Sequence, residues 1–246
     1  MKKIVLLTCI LIIPFLIFSQ GTVKKKDTAS RGNIYLDIST GLSVPMGYFA
    51  RDDVKFGGSG FATPGFLGQI NLDWMGKHST GFAIQYTFQR NSLKSSVKND
   101  TLTGMYKSLG SEPWTNHYLM AGLVYLHFIH NVYVEGRALI GVIFSSSPIF
   151  NTVDPKTYAY STNTGVGLAI GVQFGAGYKI SNRMSLKGSV EYLLGTPKIH
   201  HQYGAQLIGI DPVTGKFLYS APLNVDTKRT VSSLLLKVGI VVKLSK

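Results

Sequence analysis

Residues 166–180 read VGLAIGVQFGAGYKI, and apolar side chains alternate with small or polar ones through the whole stretch. Successive side chains of a β-strand point to opposite faces, so this stretch predicts a strand with one apolar and one polar face. The predicted outward residues are Val166, Leu168, Ile170, Val172, Phe174, Ala176, Tyr178 and Ile180. The predicted inward residues are Gly167, Ala169, Gly171, Gln173, Gly175, Gly177 and Lys179. Small inward residues relieve crowding in a narrow barrel, where side chains fill the interior.

The same period of two recurs in seven further stretches between Gly32 and Leu244. Five precede residue 166, at about 33–44, 65–75, 80–89, 116–128 and 132–144, and two follow residue 180, around Leu186–Leu194 and Leu234–Leu244. Stretches of about 9–11 residues are long enough for a tilted strand to cross a bilayer. The repeated pattern therefore predicts eight two-faced membrane strands.

The fourth stretch, 116–128, is apolar on both of its faces, so periodicity alone does not orient it. The favoured interpretation places Leu119 and Leu123, with Ala121 and Tyr125, towards lipid. The inward residues are then Tyr118, Met120 and Val124.

The connections between the predicted strands alternate between short and long. Residues 76–79, 130–131 and 181–183 are tight turns, whereas 45–64, 90–115, 145–164 and 195–230 are long. Short turns on one side and long loops on the other are typical of outer-membrane barrels, with the short turns in the periplasm. The sequence therefore predicts an all-β, eight-stranded antiparallel transmembrane up-and-down β-barrel. Two of the long loops contain an Asp-Pro turn, at Asp154 and Asp211, and each predicts a projecting hairpin.

The N-terminal segment has the features of a secretory signal peptide. Lys2 and Lys3 precede an apolar run, 4–18, that is shorter than the about 20 residues a spanning helix needs. We expect a signal peptide at 1–20, a flexible periplasmic lead-in at 21–31 and an outer-membrane β-barrel domain at 32–246. The single cysteine, Cys9, lies within the signal, so we expect neither disulfides nor thiolate chemistry in the mature chain.

Composition and charge limit the possible partners. Charged residues make up 15% of the chain, against the about 25% typical of soluble domains, and no further long apolar run follows the signal. The net charge is +13, which becomes +11 once the two signal lysines are subtracted. The basic residues form no basic helix and accompany no aromatic RNA-binding motif, so we expect no nucleic acid. Membrane lipids and lipopolysaccharide, with other outer-membrane proteins, are the expected partners.

Two segments resemble a known family. Residues 41–49, GLSVPMGYF, resemble the end of the first strand in the small outer-membrane β-barrel proteins of Bacteroidota, often labelled porin family or outer membrane protein beta-barrel domain. Residues 131–137, NVYVEGR, resemble the start of their fifth strand. The resemblance implies a fold and a cell outer membrane location. The N-terminus is expected on the same side as the short turns, in the periplasm. It implies no shared activity.

Several charged residues fall on the predicted inward face. Opposite charges in so narrow an interior should pair, because an unpaired buried charge is costly. The expected lumen charge network consists of Asp37, Asp73, Glu135, Arg137, Lys187, Glu191 and Lys237, with Lys179 and Lys243 also inward. A structural plug of ion pairs is the favoured interpretation, and a proton or ion path remains the alternative.

Aromatic residues near the predicted strand ends are typical of the girdles that barrels place at the membrane interfaces. The candidates are Tyr48, Phe49, Phe66, Trp74, Phe88, Trp114, Phe144 and Phe150.

The sequence offers little for catalysis or cofactors. Neighbouring residues on an extended chain point apart, so His200 and His201 do not predict a metal site. The neighbours His78 and Ser79 lie in a tight turn, where no serine hydrolase is expected. We expect no cofactor, no metal, no catalytic residues and no enzyme activity.

Three functions remain open. The first is a structural or surface-interaction role through extracellular loops. The second is an accessory barrel subunit of an outer-membrane machine, such as type IX secretion or barrel assembly. The third is a small porin for small or hydrophobic solutes, which requires an emptier interior than the inward charges suggest.

Overall fold

The computed structural model describes residues 33–52, 60–76, 79–94, 113–148, 164–203, 207–210, 217–219 and 223–244. The expected signal peptide and lead-in lie outside these residues. Within the described part, no helix is both long and apolar enough to cross a membrane.

Eleven strands and one helical turn make up the described structure. They are β1 (Asn33–Met46), α1 (Gly47–Ala50), β2 (Ala62–Met75), β3 (Thr80–Leu93), β4 (Trp114–Ile129), β5 (Val132–Ser146), β6 (Thr164–Lys179), β7 (Met184–Tyr203), β8 (Leu207–Ile210), β9 (Phe217–Tyr219), β10 (Leu223–Lys228) and β11 (Val231–Lys243).

The strands close into one barrel. Each strand from β1 to β6 pairs antiparallel with the next, β7 pairs with β11, and β11 pairs with β1 in a register that places Ile38 opposite Ile240. Strands β10 and β11 are separated only by Arg229 and Thr230, and both pair with β7. Together they form the eighth member of a closed, eight-stranded antiparallel up-and-down β-barrel, as the sequence predicts.

The two faces of the wall differ as expected. Outward Leu123 and Leu168 are 70% and 69% exposed, whereas inward Leu67 is fully buried. On β4, the strand that periodicity leaves ambiguous, Tyr118 is buried and Leu119 is exposed. The favoured orientation of that strand is therefore confirmed.

The two ends of the barrel are built differently. The short-turn end carries the connections β2–β3, β4–β5 and β6–β7, and the long-loop end carries the other connections. His130 has a φ of 58° in the turn between β4 and β5. This left-handed conformation is one that tight hairpin turns require.

Two strands extend beyond the barrel wall at the long-loop end. The last β7 residue that pairs with β6 is Ile199, yet β7 continues to Tyr203 and pairs there with β10. The sequence placed 195–230 in a loop, and that boundary is wrong. Pairing with β10, which the alternation of a single strand does not reveal, keeps β7 extended through Pro197. We call this paired extension of β7 and β10 the projecting ribbon. Strands β8 and β9, which lie between β7 and β10 in the sequence, pair antiparallel as expected for a hairpin around Asp211, whereas the hairpin expected around Asp154 lies outside the described residues.

The girdle prediction is wrong for two of its members. Phe49 is 1% exposed and Trp114 is 2% exposed, so both lie inside the barrel rather than at its lipid surface. The helical turn α1 folds Phe49 inward, and Trp114 begins β4 on an inward position. By contrast, Phe66, Trp74 and Phe144 are exposed on the outer face. Phe150 lies outside the described residues.

Candidate functional site

The seven charged residues of the expected lumen network all lie in the interior. Each of them is 5% exposed or less. They come from β1, β2, β5, β7 and β11, because alternate positions of every strand point into the barrel. The structure places them in two groups joined by an amide.

Arg137 is the centre of the first group. Its guanidinium lies 2.9 Å from Asp73 Oδ2, 3.3 Å from Asp37 Oδ2 and 3.2 Å from Glu135 Oε1. Lys187 contacts Asp37 and lies 2.8 Å from Glu135 Oε1. We call these five residues the Arg137 group. It combines three carboxylates with two cations.

Lys237 is the centre of the second group. It pairs with Glu191 and donates hydrogen bonds of 2.6 Å to Gln69 Oε1 and Gln173 Oε1. Gln85 donates a 2.7 Å hydrogen bond to Glu191 Oε1. We call Lys237, Glu191, Gln69 and Gln85 the Lys237 group. It combines one carboxylate with one cation.

Gln173 on β6 joins the two groups. Its Nε2 donates to Glu135, and its Oε1 accepts from Lys237. The sequence indicates that Gln69, Gln85 and Gln173 face inward, but it does not predict their part in the network. The available signal is an amide at an inward position, where it can both donate to a carboxylate and accept from an ammonium.

Uncharged polar residues follow towards the long-loop end. Gln89 donates to Ser43, Asn91 and Ser233 over 2.6, 2.6 and 2.7 Å. Ser145 donates a 2.6 Å hydrogen bond to Asn116. Apolar side chains that are almost completely buried pack among these layers, namely Leu67, Tyr118, Met120, Ile143, Leu193 and Leu235.

An aromatic pair, which we call the cap, lies in the interior at the long-loop end. The rings of Phe49 and Trp114 meet edge to face at 5.4 Å between centroids. Trp114 Nε1 donates a 2.7 Å hydrogen bond to the Gly60 carbonyl, and Gly60 N donates to Tyr48 O over 2.9 Å. Hydrogen bonds from the barrel wall and from the first long loop thus hold the same aromatic pair in place.

The short-turn end holds a cavity of about 130 Å³. Its lining combines carboxylates, phenols, hydroxyls and cations. The lining includes Tyr133, Asp73, Glu135, Lys179, Arg183 and Lys243. Lys179 and Lys243, expected to face inward, therefore lie at this mouth rather than in the buried network.

The projecting ribbon carries its own ion pairs. Asp226 on β10 contacts His200, and its Oδ2 lies 2.5 Å from the Lys198 ammonium. The hydrogen bonds from Lys198 and His200 hold the pKa of Asp226 below its usual value. His200 therefore has an acidic partner, and the side chain of His201 lies outside the described residues.

The described residues contain no cluster of three His, Cys, Asp or Glu side chains that could hold a metal ion. His78, one of the histidine–serine pair in the sequence, lies outside them. The interior charges are bound to one another, which suits them to filling space and fixing strand positions.

Comparison with known proteins yields structural neighbours only. No protein-family model matches the chain, and no curated protein matches it. A major outer membrane protein from Thermus thermophilus aligns with a TM-score of 0.52 and 14% identity, over 87% of this chain and 100% of that one. The Neisserial surface protein A aligns with a TM-score of 0.47 and 15% identity, over 89% and 100%. The outer membrane protease OmpT from Escherichia coli aligns with a TM-score of 0.43 and 12% identity, over 89% and 99%. At these identities the likeness extends to the barrel fold alone.

Proposed function

We propose that this chain is a non-enzymatic outer-membrane β-barrel protein with a sealed interior, which acts through its long-loop end in a structural or surface-interaction role. The observation that carries the proposal is the filled interior. Ion pairs, amides and the Phe49–Trp114 cap occupy it at successive levels. If the interior of a barrel is closed, partners can contact only its outer face and its loops.

The outer wall supports a location in a membrane. Large apolar side chains stay exposed around the whole barrel, for example Ile38, Phe82, Ile140 and Val238. Such a continuous apolar surface is stable in lipid and unstable in water. The resemblance to the Bacteroidota barrels supports the outer membrane in particular. With the N-terminus and the short turns in the periplasm, the cap and the ribbon face outwards.

The same interior argues against the small-porin hypothesis. An eight-stranded barrel is just wide enough for its inward side chains to fill it. In the described interior, Arg137 on β5 is bonded across the lumen to Asp37 on β1 and Asp73 on β2, and Lys237 on β11 is paired with Glu191 on the neighbouring strand β7. An ion would have to break these pairs to pass.

Basic residues at the long-loop end support lipopolysaccharide as a partner. Lys198 and Lys228 are directly opposed on β7 and β10, and both are exposed. Arg90 is exposed near the same end of β3. Lysine and arginine are the side chains that bind phosphate groups most strongly. We infer that this basic surface contacts the phosphates of the outer leaflet.

Single-cysteine labelling tests the orientation and the exposed end together. Cysteine is introduced at Lys198 or at Arg183, and intact cells are treated with a membrane-impermeant maleimide. We expect labelling at position 198 in intact cells, and at position 183 only after the outer membrane is permeabilised. The reverse pattern would overturn the orientation.

Purification tests the surface role against the machine-subunit hypothesis. The tagged protein is extracted from native outer membranes in a gentle detergent. A monomer accompanied only by lipid and lipopolysaccharide supports the proposal. Stoichiometric recovery with other outer-membrane proteins would instead favour an accessory subunit of a larger machine.

A further inference from the structure

The cavity at the short-turn end is lined by both acidic and basic side chains. Its lining includes the carboxylates of Asp73 and Glu135 and, in addition, the cations of Lys179, Arg183 and Lys243. A water molecule takes roughly 30 Å³ in the liquid. The cavity volume of about 130 Å³ therefore leaves room for a few waters or one small polar molecule.

Two buried groups in the lining lack partners among the described residues. Asp73 is 1% exposed and uses Oδ2 to bind Arg137, whereas its Oδ1 accepts no hydrogen bond from them. Tyr133 is 2% exposed, and its hydroxyl also has no partner there. A buried polar group costs free energy unless it is hydrogen-bonded, so both groups are suited to bind a ligand that supplies a donor or an acceptor.

The carboxylates outnumber the cations in the buried network. The Arg137 and Lys237 groups together contain four carboxylates and three cations. Asp73 makes a single ion pair, with Arg137, whereas Asp37 and Glu135 are each bound by both Arg137 and Lys187. Oδ1 of Asp73 is thus the atom at which an added positive charge would be best compensated.

A ligand must also satisfy the three cations of the lining. A simple cation would be attracted by Asp73 but repelled by Lys179, Arg183 and Lys243. A simple anion would be attracted by these three residues but repelled by Asp73 and Glu135. Only a molecule that carries both charges is attracted by both halves of the lining.

We propose that the cavity at the short-turn end binds a small zwitterion that carries a primary ammonium and an anionic group. The ammonium donates hydrogen bonds to Asp73 Oδ1 and the Tyr133 hydroxyl. The carboxylate or phosphate is held by Lys179, Arg183 and Lys243. A free amino acid and the phosphoethanolamine headgroup of a lipid share this chemistry.

A glycine on the neighbouring strand leaves space for the Tyr133 ring. Tyr133 on β5 lies opposite Gly177 on β6, and a Cβ at Gly177 would collide with the ring. The absence of a side chain at Gly177 therefore lets the ring lie flat against the wall. Tyr133 is one of the residues that line the cavity.

The test is a titration of the folded full-length protein, with NMR following the backbone amide signals of Asp73, Glu135 and Ser185, which also lines the cavity. The free probes are β-alanine as the zwitterion, ethylammonium as the cation and propionate as the anion. We expect β-alanine to shift these signals with saturation, and each single-charge probe to bind at least roughly tenfold more weakly. Saturable binding of ethylammonium or propionate as tight as that of β-alanine would overturn the proposal.

Lipid nanodiscs distinguish the two sources of the zwitterion. Phosphatidylethanolamine has a primary ammonium, whereas the quaternary ammonium of phosphatidylcholine donates no hydrogen bond. Shifts caused by β-alanine identify a free ligand, and shifts caused by phosphatidylethanolamine but not phosphatidylcholine identify a headgroup. Either result supports the proposal, and the absence of both overturns it.

Variants locate the site. Tyr133→Phe removes the hydroxyl alone and is expected to raise the Kd of whichever zwitterion binds by roughly five- to tenfold. Lys243→Gln tests the anionic half in the same way. The matched control is Tyr118→Phe, because Tyr118 is also a buried tyrosine without a partner among the described residues but does not line the cavity. An unchanged Kd in Tyr133→Phe and in Lys243→Gln would contradict the assigned contacts.

Discussion

Glu135 and Lys237 belong to different ion-pair groups of the barrel interior, and one amide, that of Gln173, is hydrogen-bonded to both. This link turns two groups into a single network that reaches from β1 to β11. Residues far apart in the sequence therefore depend on one another, and the dependence can be measured.

The first prediction concerns the link itself. In a double-mutant cycle, Glu135→Gln and Lys237→Met should show a coupling free energy of roughly 0.5 kcal/mol or more, because coupled residues of one network are not additive. The same cycle in a Gln173→Leu background should show a smaller coupling, because Leu cannot donate or accept and only the indirect path from Lys237 through Gln69 and Asn71 to Asp37 remains. Urea unfolding in lipid vesicles provides the free energies. Equal coupling in both backgrounds would show that Gln173 does not transmit it.

The second prediction concerns the Arg137 group. Replacing Arg137 with Met leaves Asp73 without its cation, and breaking a buried ion pair in this way costs about 3–5 kcal/mol. Arg90→Met is the matched control, because Arg90 is exposed near the long-loop end of β3, where a change of charge on the outer face costs about 0–1 kcal/mol. Thermal unfolding of both variants checks the difference. Equal melting temperatures would show that Arg137 contributes no more than a surface residue.

The third prediction distinguishes the contribution of the Lys237–Glu191 ion pair from the contribution of side-chain packing. Lys237→Met alone leaves Glu191 without its cation and should be strongly destabilising. The double variant Glu191→Leu with Lys237→Met removes both charges, and should lie nearer to the parent than the sum of the single changes. If the double variant loses as much stability as the two single variants together, Glu191 and Lys237 do not stabilise the barrel through their ion pair.

The strand pattern made most of the fold predictable. Strict alternation oriented seven strands, because a side chain that faces lipid must be apolar whereas one that faces the interior need not be. On β4, where both faces are apolar, the favoured orientation of Tyr118 was also correct. The inward charges could be recognised from the same alternation.

Other features depend on contacts that no local pattern encodes. The length of β7 follows from its pairing with β10, whose residues lie 20 to 30 positions further along the sequence than their partners. The burial of Phe49 follows from α1, a single helical turn that folds back over the barrel. The bridging role of Gln173 requires the relative positions of three strands. Each of these is a long-range relationship.

The fourth prediction concerns the cap. Trp114→Phe removes the hydrogen bond to the Gly60 carbonyl and leaves a buried carbonyl unpaired, at a cost of about 1–3 kcal/mol. Trp74→Phe is the matched control, because the Trp74 side chain is exposed on the outer face. We expect only the Trp114 variant to lose stability and to accelerate hydrogen exchange in α1. Equal losses in both variants would contradict the cap.

The fifth prediction concerns pH and the projecting ribbon. Because the pKa of Asp226 is lowered in the folded chain from an ordinary value of 3.8, its pairing stabilises the ribbon fully above that value. The stabilisation is lost as the pH falls through the lower, folded pKa. Hydrogen-exchange protection of β7 and β10 beyond Ile199 should therefore fall below about pH 4, and Asp226→Asn should remove this dependence. A wild-type profile that is flat over the same range would contradict it.

The sealed interior is tested most directly by single-channel recording in planar bilayers. The purified protein is inserted, and a general porin recorded under the same conditions shows that channels would be detected. We expect no conductance steps from the parent protein at any moderate voltage. Reproducible steps that change in size with Arg137→Met or Lys237→Met would show that ions cross this interior, and would contradict the account.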